Sequence, residues 1–298
     1  MRLLAVTFYI AAICTAQDTP QEKIPETTFR VGTDLVLLNV SVFDKDGQII
    51  KGLAKSAFTV YENNVVQDVS VFRQEDVPVS LGLVIDSSAS MQNKKDRVAS
   101  AALAMVKASN PDDEVFVINF NEEPELAQDF TSDTAILEKS LRNFRSKGET
   151  AMRDAVMVGI DQLRAKAKRD KRVLLVITDG EDNSSIATEQ RIIEAAHQNN
   201  VIVYAIGLLG EERTESPERT RNQLAALTLA TGGRSWFPSD VSAIAAITPE
   251  IAHEIRNQYI IGYTPSDLTK DGKFRNIRVE VNVPGATVRT RSGYYARP

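Results

Sequence analysis

The chain has 298 residues, 43% apolar and 25% charged, an ordinary globular composition that excludes a collagen-like, wholly disordered or multi-span membrane protein. Its 35 Lys and Arg against 40 Asp and Glu give a net charge of −5. Without a dense basic patch, that balance argues against nucleic acid as a partner. The most basic stretch, Arg164 to Arg172, reads as a helix end and a connector before an apolar strand.

Arg2, the apolar run Leu3 to Ile13 and the small residues Cys14-Thr15-Ala16 read as a signal peptide over 1–16. Bulky Ile13 stands where a lipoprotein signal wants a small residue, which argues against a lipid anchor on Cys14. If cleavage follows Ala16, the single cysteine leaves with the signal and the mature fold owes nothing to disulfides. The run is too short to cross a ~30 Å bilayer, and no later stretch approaches the ~20 apolar residues of a spanning helix. A secreted or periplasmic protein without a transmembrane segment in its mature chain is therefore expected. Residues 17–29, polar and carrying Pro20 and Pro25, read as a flexible leader.

From Thr33 to Phe43 apolar residues alternate, and the run ends at Asp46-Gly47, a hairpin signal. Alternating runs Ala57 to Glu62 and Val65 to Arg73 flank Asn63-Asn64, which suit a tight turn. After Pro78 the rhythm changes to continuous apolar runs, Val79 to Ile85, Glu114 to Phe120, Val173 to Thr178 and Val201 to Gly207. Helical patterns at 92–109, 133–144, 151–166, 188–199 and 219–231 lie between and after them. Strands buried on both faces and joined by helices make a doubly wound, mostly parallel, Rossmann-like α/β sheet. Trp236 and Phe237 read as its last short strand. A helix over 240–257 leads to further alternating runs, Gln258 to Tyr263, Phe274 to Val283 and Ala286 to Tyr295. The two terminal β segments are each short for a domain and each would expose an apolar face, so they are expected to join in one β-sandwich with the α/β domain inserted between them. The expected boundaries are 30–76 for the amino-terminal portion of the sandwich, 77–240 for the inserted domain, and 241–298 for the linking helix and the carboxy-terminal portion of the sandwich.

The chemistry concentrates at the carboxyl ends of the parallel strands, where open α/β sheets bind ligands. Val79 to Ile85 runs into Asp86-Ser87-Ser88-Ala89-Ser90, Val173 to Thr178 runs into Asp179-Gly180, and Lys147-Gly148-Glu149-Thr150 brings a hydroxyl to a helix start. Three loops thus offer oxygen ligands and neither His nor Cys, a set that selects a hard divalent cation. Neither His nor Lys accompanies these ligands as an evident proton-transfer group, and His197 and His253 read as ordinary surface or boundary residues.

The Asp-x-Ser-x-Ser string, the threonine loop and the Thr-Asp-Gly resemble the metal-ion-dependent adhesion site (MIDAS) of von Willebrand factor type A (VWA) domains. The resemblance implies hydroxyl ligation by Ser88, Ser90 and Thr150, with Asp86 and Asp179 acting directly or through water. Glu149 departs from the glycine often found before the threonine. Phe58-Thr-Val-Tyr-Glu62, Gly262-Tyr-Thr-Pro265 and Gly293-Tyr-Tyr295 are similar to the flanks of a bacterial family of secreted VWFA-related proteins. Two carboxylates neutralise a divalent ion and neutral hydroxyls add no charge, so a bound Mg²⁺, or Mn²⁺ or Ca²⁺, keeps an affinity for one more anionic oxygen. Glu181 and Asp182 are expected to point away or serve the rim. The function expected is cation-dependent adhesion to a protein partner presenting Asp or Glu, without enzymatic activity. A metal-dependent hydrolase and a scaffold with a purely structural metal are the alternatives.

Overall fold

The computed structural model describes residues 35–74, 76–143, 146–209 and 217–297. The signal peptide, the leader and Cys14 lie outside the described residues. Among the described residues no helix is long and apolar enough to cross a membrane.

The inserted domain is a six-stranded sheet of β5 (Val79–Asp86), β6 (Glu114–Phe120), β7 (Pro124–Thr131), β8 (Lys171–Thr178), β9 (Val201–Gly207) and β10 (Ser235–Trp236), ordered β10-β9-β8-β5-β6-β7. All neighbours are parallel except β6 and β7. Every residue of β5, β6 and β9 is buried, as continuous apolar runs require. Alternate residues feed two cores. Leu81, Leu83 and Ile85 pack on one face with α1 (Lys95–Ala108), α2 (Thr134–Arg142) and α6 (Ile244–Arg256). Val84, Phe116 and Ile118 pack on the other with α3 (Met152–Lys166), α4 (Glu189–Asn199) and α5 (Pro217–Thr231). The chain builds outward from β5 through β6 to β7, then returns to β8 on the other side of β5. The strand order therefore reverses between β5 and β8, which opens a crevice beyond their carboxyl ends.

Gly82 in β5 is set by close approach. A Cβ there would lie 2.3 Å from Phe116 Cζ and 2.5 Å from Leu174 Cδ2. Gly82→Ala is expected to overpack this face and cost about 1–3 kcal/mol, read as a lower denaturant midpoint with an unchanged m-value.

The terminal strands interleave in two four-stranded sheets. One holds β1 (Val36–Phe43), β4 (Val69–Arg73), β11 (Tyr259–Tyr263) and β13 (Thr287–Arg289), ordered β13-β1-β11-β4. The other holds β2 (Phe58–Glu62), β3 (Val65–Gln67), β12 (Phe274–Val281) and β14 (Gly293–Tyr295), ordered β14-β12-β2-β3. Leu38, Val40, Tyr259 and Ile261 of the first share one core with Val60, Ile277 and Val279 of the second, forming the sandwich. Two runs that alternate without a break in sequence are each divided between the sheets. The chain leaves β3 and changes sheet at Asp68, and it does so again between β13 and β14. The buried Glu62 carboxylate accepts hydrogen bonds from Tyr263 at 2.7 Å and Tyr294 at 3.0 Å, tying the sheets together.

The sandwich attaches at the amino edge of the six-stranded sheet. Glu254 of α6, buried there, accepts hydrogen bonds from Tyr204 of β9 and Arg289 of β13, each at 3.1 Å. Gln258 bridges Ser41 and Tyr204, and Ser292 N donates to Ala230 O at 3.0 Å. His197 is buried at this junction, contrary to the surface or boundary position expected from its helix. Its ring lies 5.5 Å from that of Phe274, and Nε2 is 2.8 Å from Ala230 O. The cover is strand β12, remote in sequence. His253 is exposed as expected.

Candidate metal centre

The five side chains singled out from the sequence emerge around the crevice between β5 and β8. Asp86 closes β5 and is fully buried. Its Oδ1 accepts the Ser88 N–H at 2.7 Å, which folds the following loop back over the strand end, and its Oδ2 accepts the Thr178 hydroxyl at 2.6 Å from the neighbouring strand. Burial pushes the Asp86 carboxyl up to about 6, against the hydrogen bonds from Ser88 and Thr178 that favour its charged form, while the nearby Asp179 charge adds to the rise.

Ser88 and Ser90 are two residues apart with hydroxyls 3.1 Å from each other. Ser90 Oγ donates to Asp179 Oδ1 at 2.7 Å, linking the first loop to the turn after β8. The third loop is fastened to the first by Lys147 N to Ser87 O at 2.9 Å and Ala89 N to Gly148 O at 3.3 Å. Gly148 takes φ +73°, a left-handed turn that glycine adopts freely, and the following Glu149 is exposed. This accommodates the departure at Glu149, whose side chain is carried outward while Thr150 is buried. Asn183 Oδ1 accepts the Thr150 N–H at 3.0 Å, and Thr150 O accepts the N–H groups of Asn183 and Ser184. The Thr150 hydroxyl lies beside the Asp179-Gly180 turn, 3.3 Å from where a Cβ on Gly180 would stand.

The neighbouring acids are engaged elsewhere. Asp182 accepts from Arg153 and Ser185, and Glu181 pairs with Arg219 at 2.7 Å. Sequence reasoning missed three supports, Thr178, Asn183 and Lys94. Lys94 corrects the expectation that no lysine accompanies the ligands, because its Nζ lies 2.6 Å from Asp179 Oδ2 in a buried ion pair. The available signal was spacing, since Lys94 follows Ser90 by four residues, about one helical turn.

The donor set fits a hard divalent ion. It presents hydroxyls from two loops and carboxylates from two strand ends, oxygen throughout. Among the described residues no group of three or more His, Cys, Asp or Glu forms an alternative metal cluster.

The family model for the von Willebrand factor type A domain matches residues 81–181. An uncharacterized protein of Synechocystis sp. is 30% identical over 110 residues, 36% of this chain and 26% of that protein, so the match spans about a quarter of that relative's length. Among solved structures, a von Willebrand factor type A protein from Catenulispora acidiphila aligns over 90% of this chain and 74% of its own, with 12% identity and a TM-score of 0.53. Proximal thread matrix protein 1 of the mussel byssus, solved with a zinc-occupied MIDAS motif, aligns over 65% of this chain and 50% of its own, with 15% identity and a TM-score of 0.54. Residues 81–181, which carry the strands from β5 to β8 and the three motif loops, thus match the von Willebrand factor type A domain family.

Proposed function

We propose that this protein is an exported module that captures an acidic side chain of a protein partner through a divalent cation held at Ser88, Ser90, Thr150, Asp86 and Asp179. VWA domains generally act as interaction modules rather than enzymes. The observation that carries the reading is the division of labour among these oxygens. Both carboxylates are already engaged by protein donors, whereas the Thr150 hydroxyl has no hydrogen-bond partner among the described residues. Ser88, Ser90 and Thr150 would hold the ion by their hydroxyls, with Asp86 and Asp179 behind them supplying charge. A bound divalent ion supplies a Lewis-acidic centre for an anionic oxygen. Mg²⁺ suits the oxygen set, with Mn²⁺ and Ca²⁺ as alternatives, and the mussel protein's occupied motif adds zinc to the ions to be tried.

The surroundings suit a protein partner. Ile186, 91% exposed on the loop after β8, is held by its N–H to Asp154 Oδ2 at 2.9 Å, in the first turn of the helix that follows Thr150, and offers an apolar contact on that loop. Lys94, which a hydrolase could have used for proton transfer, is committed to Asp179. The test is capture from an extracellular or periplasmic extract with EDTA, without it, and with Mg²⁺ restored. Capture is expected to disappear on chelation and return with the ion. Capture indifferent to chelation overturns the reading.

A further inference from the structure

We propose that Lys94 is a built-in cation that weakens the site's hold on a divalent ion and, in return, strengthens the loaded site's attraction for an acidic side chain. This rests on the metal-dependent reading above. The Lys94 and Asp179 side chains are 4% and 1% exposed, so the ammonium is no solvated surface charge. Local folding places it there. A short 3-10 turn over Ala89–Asn93 carries the chain from Ser90 into α1, and Lys94 N donates to Met91 O at 3.0 Å. One turn beyond Ser90, the side chain reaches Asp179, where Nζ meets Oδ2 at 2.6 Å while Ser90 Oγ meets Oδ1 at 2.7 Å. One Asp179 oxygen is thus held by a proposed ligand and the other by a full positive charge.

The charge count follows. Asp86 and Asp179, when ionised, bring two negative charges, and Lys94 returns one. With a divalent ion added, the cluster carries one positive charge in excess, where the two carboxylates alone would leave it neutral. Like-charge repulsion at short range in a buried site opposes the ion and favours an incoming carboxylate. A lysine that merely tethered its turn to the end of β8 would act in the opposite sense, because its removal would loosen Asp179 and Ser90 and weaken ion binding.

The sign of the change separates these roles. Mn²⁺ is titrated by calorimetry into wild type, Lys94→Met, Lys94→Gln and Asp86→Ala at low ionic strength. Both Lys94 variants are expected to bind Mn²⁺ at least about tenfold more tightly than wild type, and Asp86→Ala is expected not to bind. Lys94→Gln keeps a donor for Asp179 without the charge, so it guards against loss of fold in the methionine variant. Equal or weaker binding in both Lys94 variants, with wild type binding and Asp86→Ala silent, overturns the role of Lys94 and leaves the metal centre standing. Absence of Mn²⁺ binding by wild type overturns both.

Discussion

Asp86→Ala is expected to abolish divalent-dependent thermal stabilisation and partner capture together, while the terminal β-sandwich stays folded. An ion bound only by the folded state adds about 2.7 kcal/mol at a concentration 100 times its Kd, or roughly 5–10 °C for a domain of this size. The variant should show no such rise. It also leaves the Ser88 N–H and the Thr178 hydroxyl without their acceptor, costing about 1–3 kcal/mol before any ion is added. Asp86→Asn distinguishes the two effects, because it retains an oxygen acceptor at similar volume and removes the charge. Its ion-free melting point should lie nearer wild type, with ion affinity still lost. Unchanged affinity in the alanine variant, measured by calorimetry, would refute the site.

The second large effect concerns the opposite edge of the sheet. Lys171 opens β8 and is 5% exposed, with Nζ donating to the backbone carbonyl of Ile255. Among the described residues it has no carboxylate within ion-pair distance, and burial lowers its pKa from 10.5 to about 7, although Asp76, Asp113 and Glu254 act in the other direction. Between those values the unfolded chain holds a proton that the folded chain has released, so this group makes stability rise with pH across the window. The penalty is complete below pH 7. Lys171→Met, similar in length and without charge, is therefore expected to be more stable than wild type at pH 7 by a few kcal/mol. Its advantage should shrink by about 1.4 kcal/mol per pH unit toward pH 10. Urea unfolding of both proteins at pH 7, 8.5 and 10 checks this, and an advantage that does not change with pH would exclude the titration as its cause.

Much of this architecture could be read directly from the chain because its signals are local. Continuous apolar strands, the helical patterns between them and the motif loops announce the sheet, its helices and all five ligand candidates. What escaped is set by tertiary context. Strand β7 is an antiparallel edge strand, half-buried and mixed in composition, so Pro124–Thr131 lacks the apolar run that marks its neighbours. The sheet changes at Asp68 and after Arg289 leave the alternation of the flanking residues intact. Thr178 reads as the last buried residue of a strand until the facing carboxylate of Asp86 is located, and Lys94 reads as the solvated first turn of a helix until Asp179 is placed beneath it. His197 likewise cannot be assigned to the interior until β12 and β14 cover α4.

Attachment of the sandwich at one edge of the parallel sheet, with the hydroxyls at the other, has a mechanical consequence. Strand β5 begins shortly after β4 of the sandwich and ends at Asp86, spanning roughly 26 Å. Traction on a bound partner would run lengthwise down this strand into its anchor. Its ladders with β8 and β6 lie crosswise to the pull, so their bonds would have to shear in concert rather than unzip in succession.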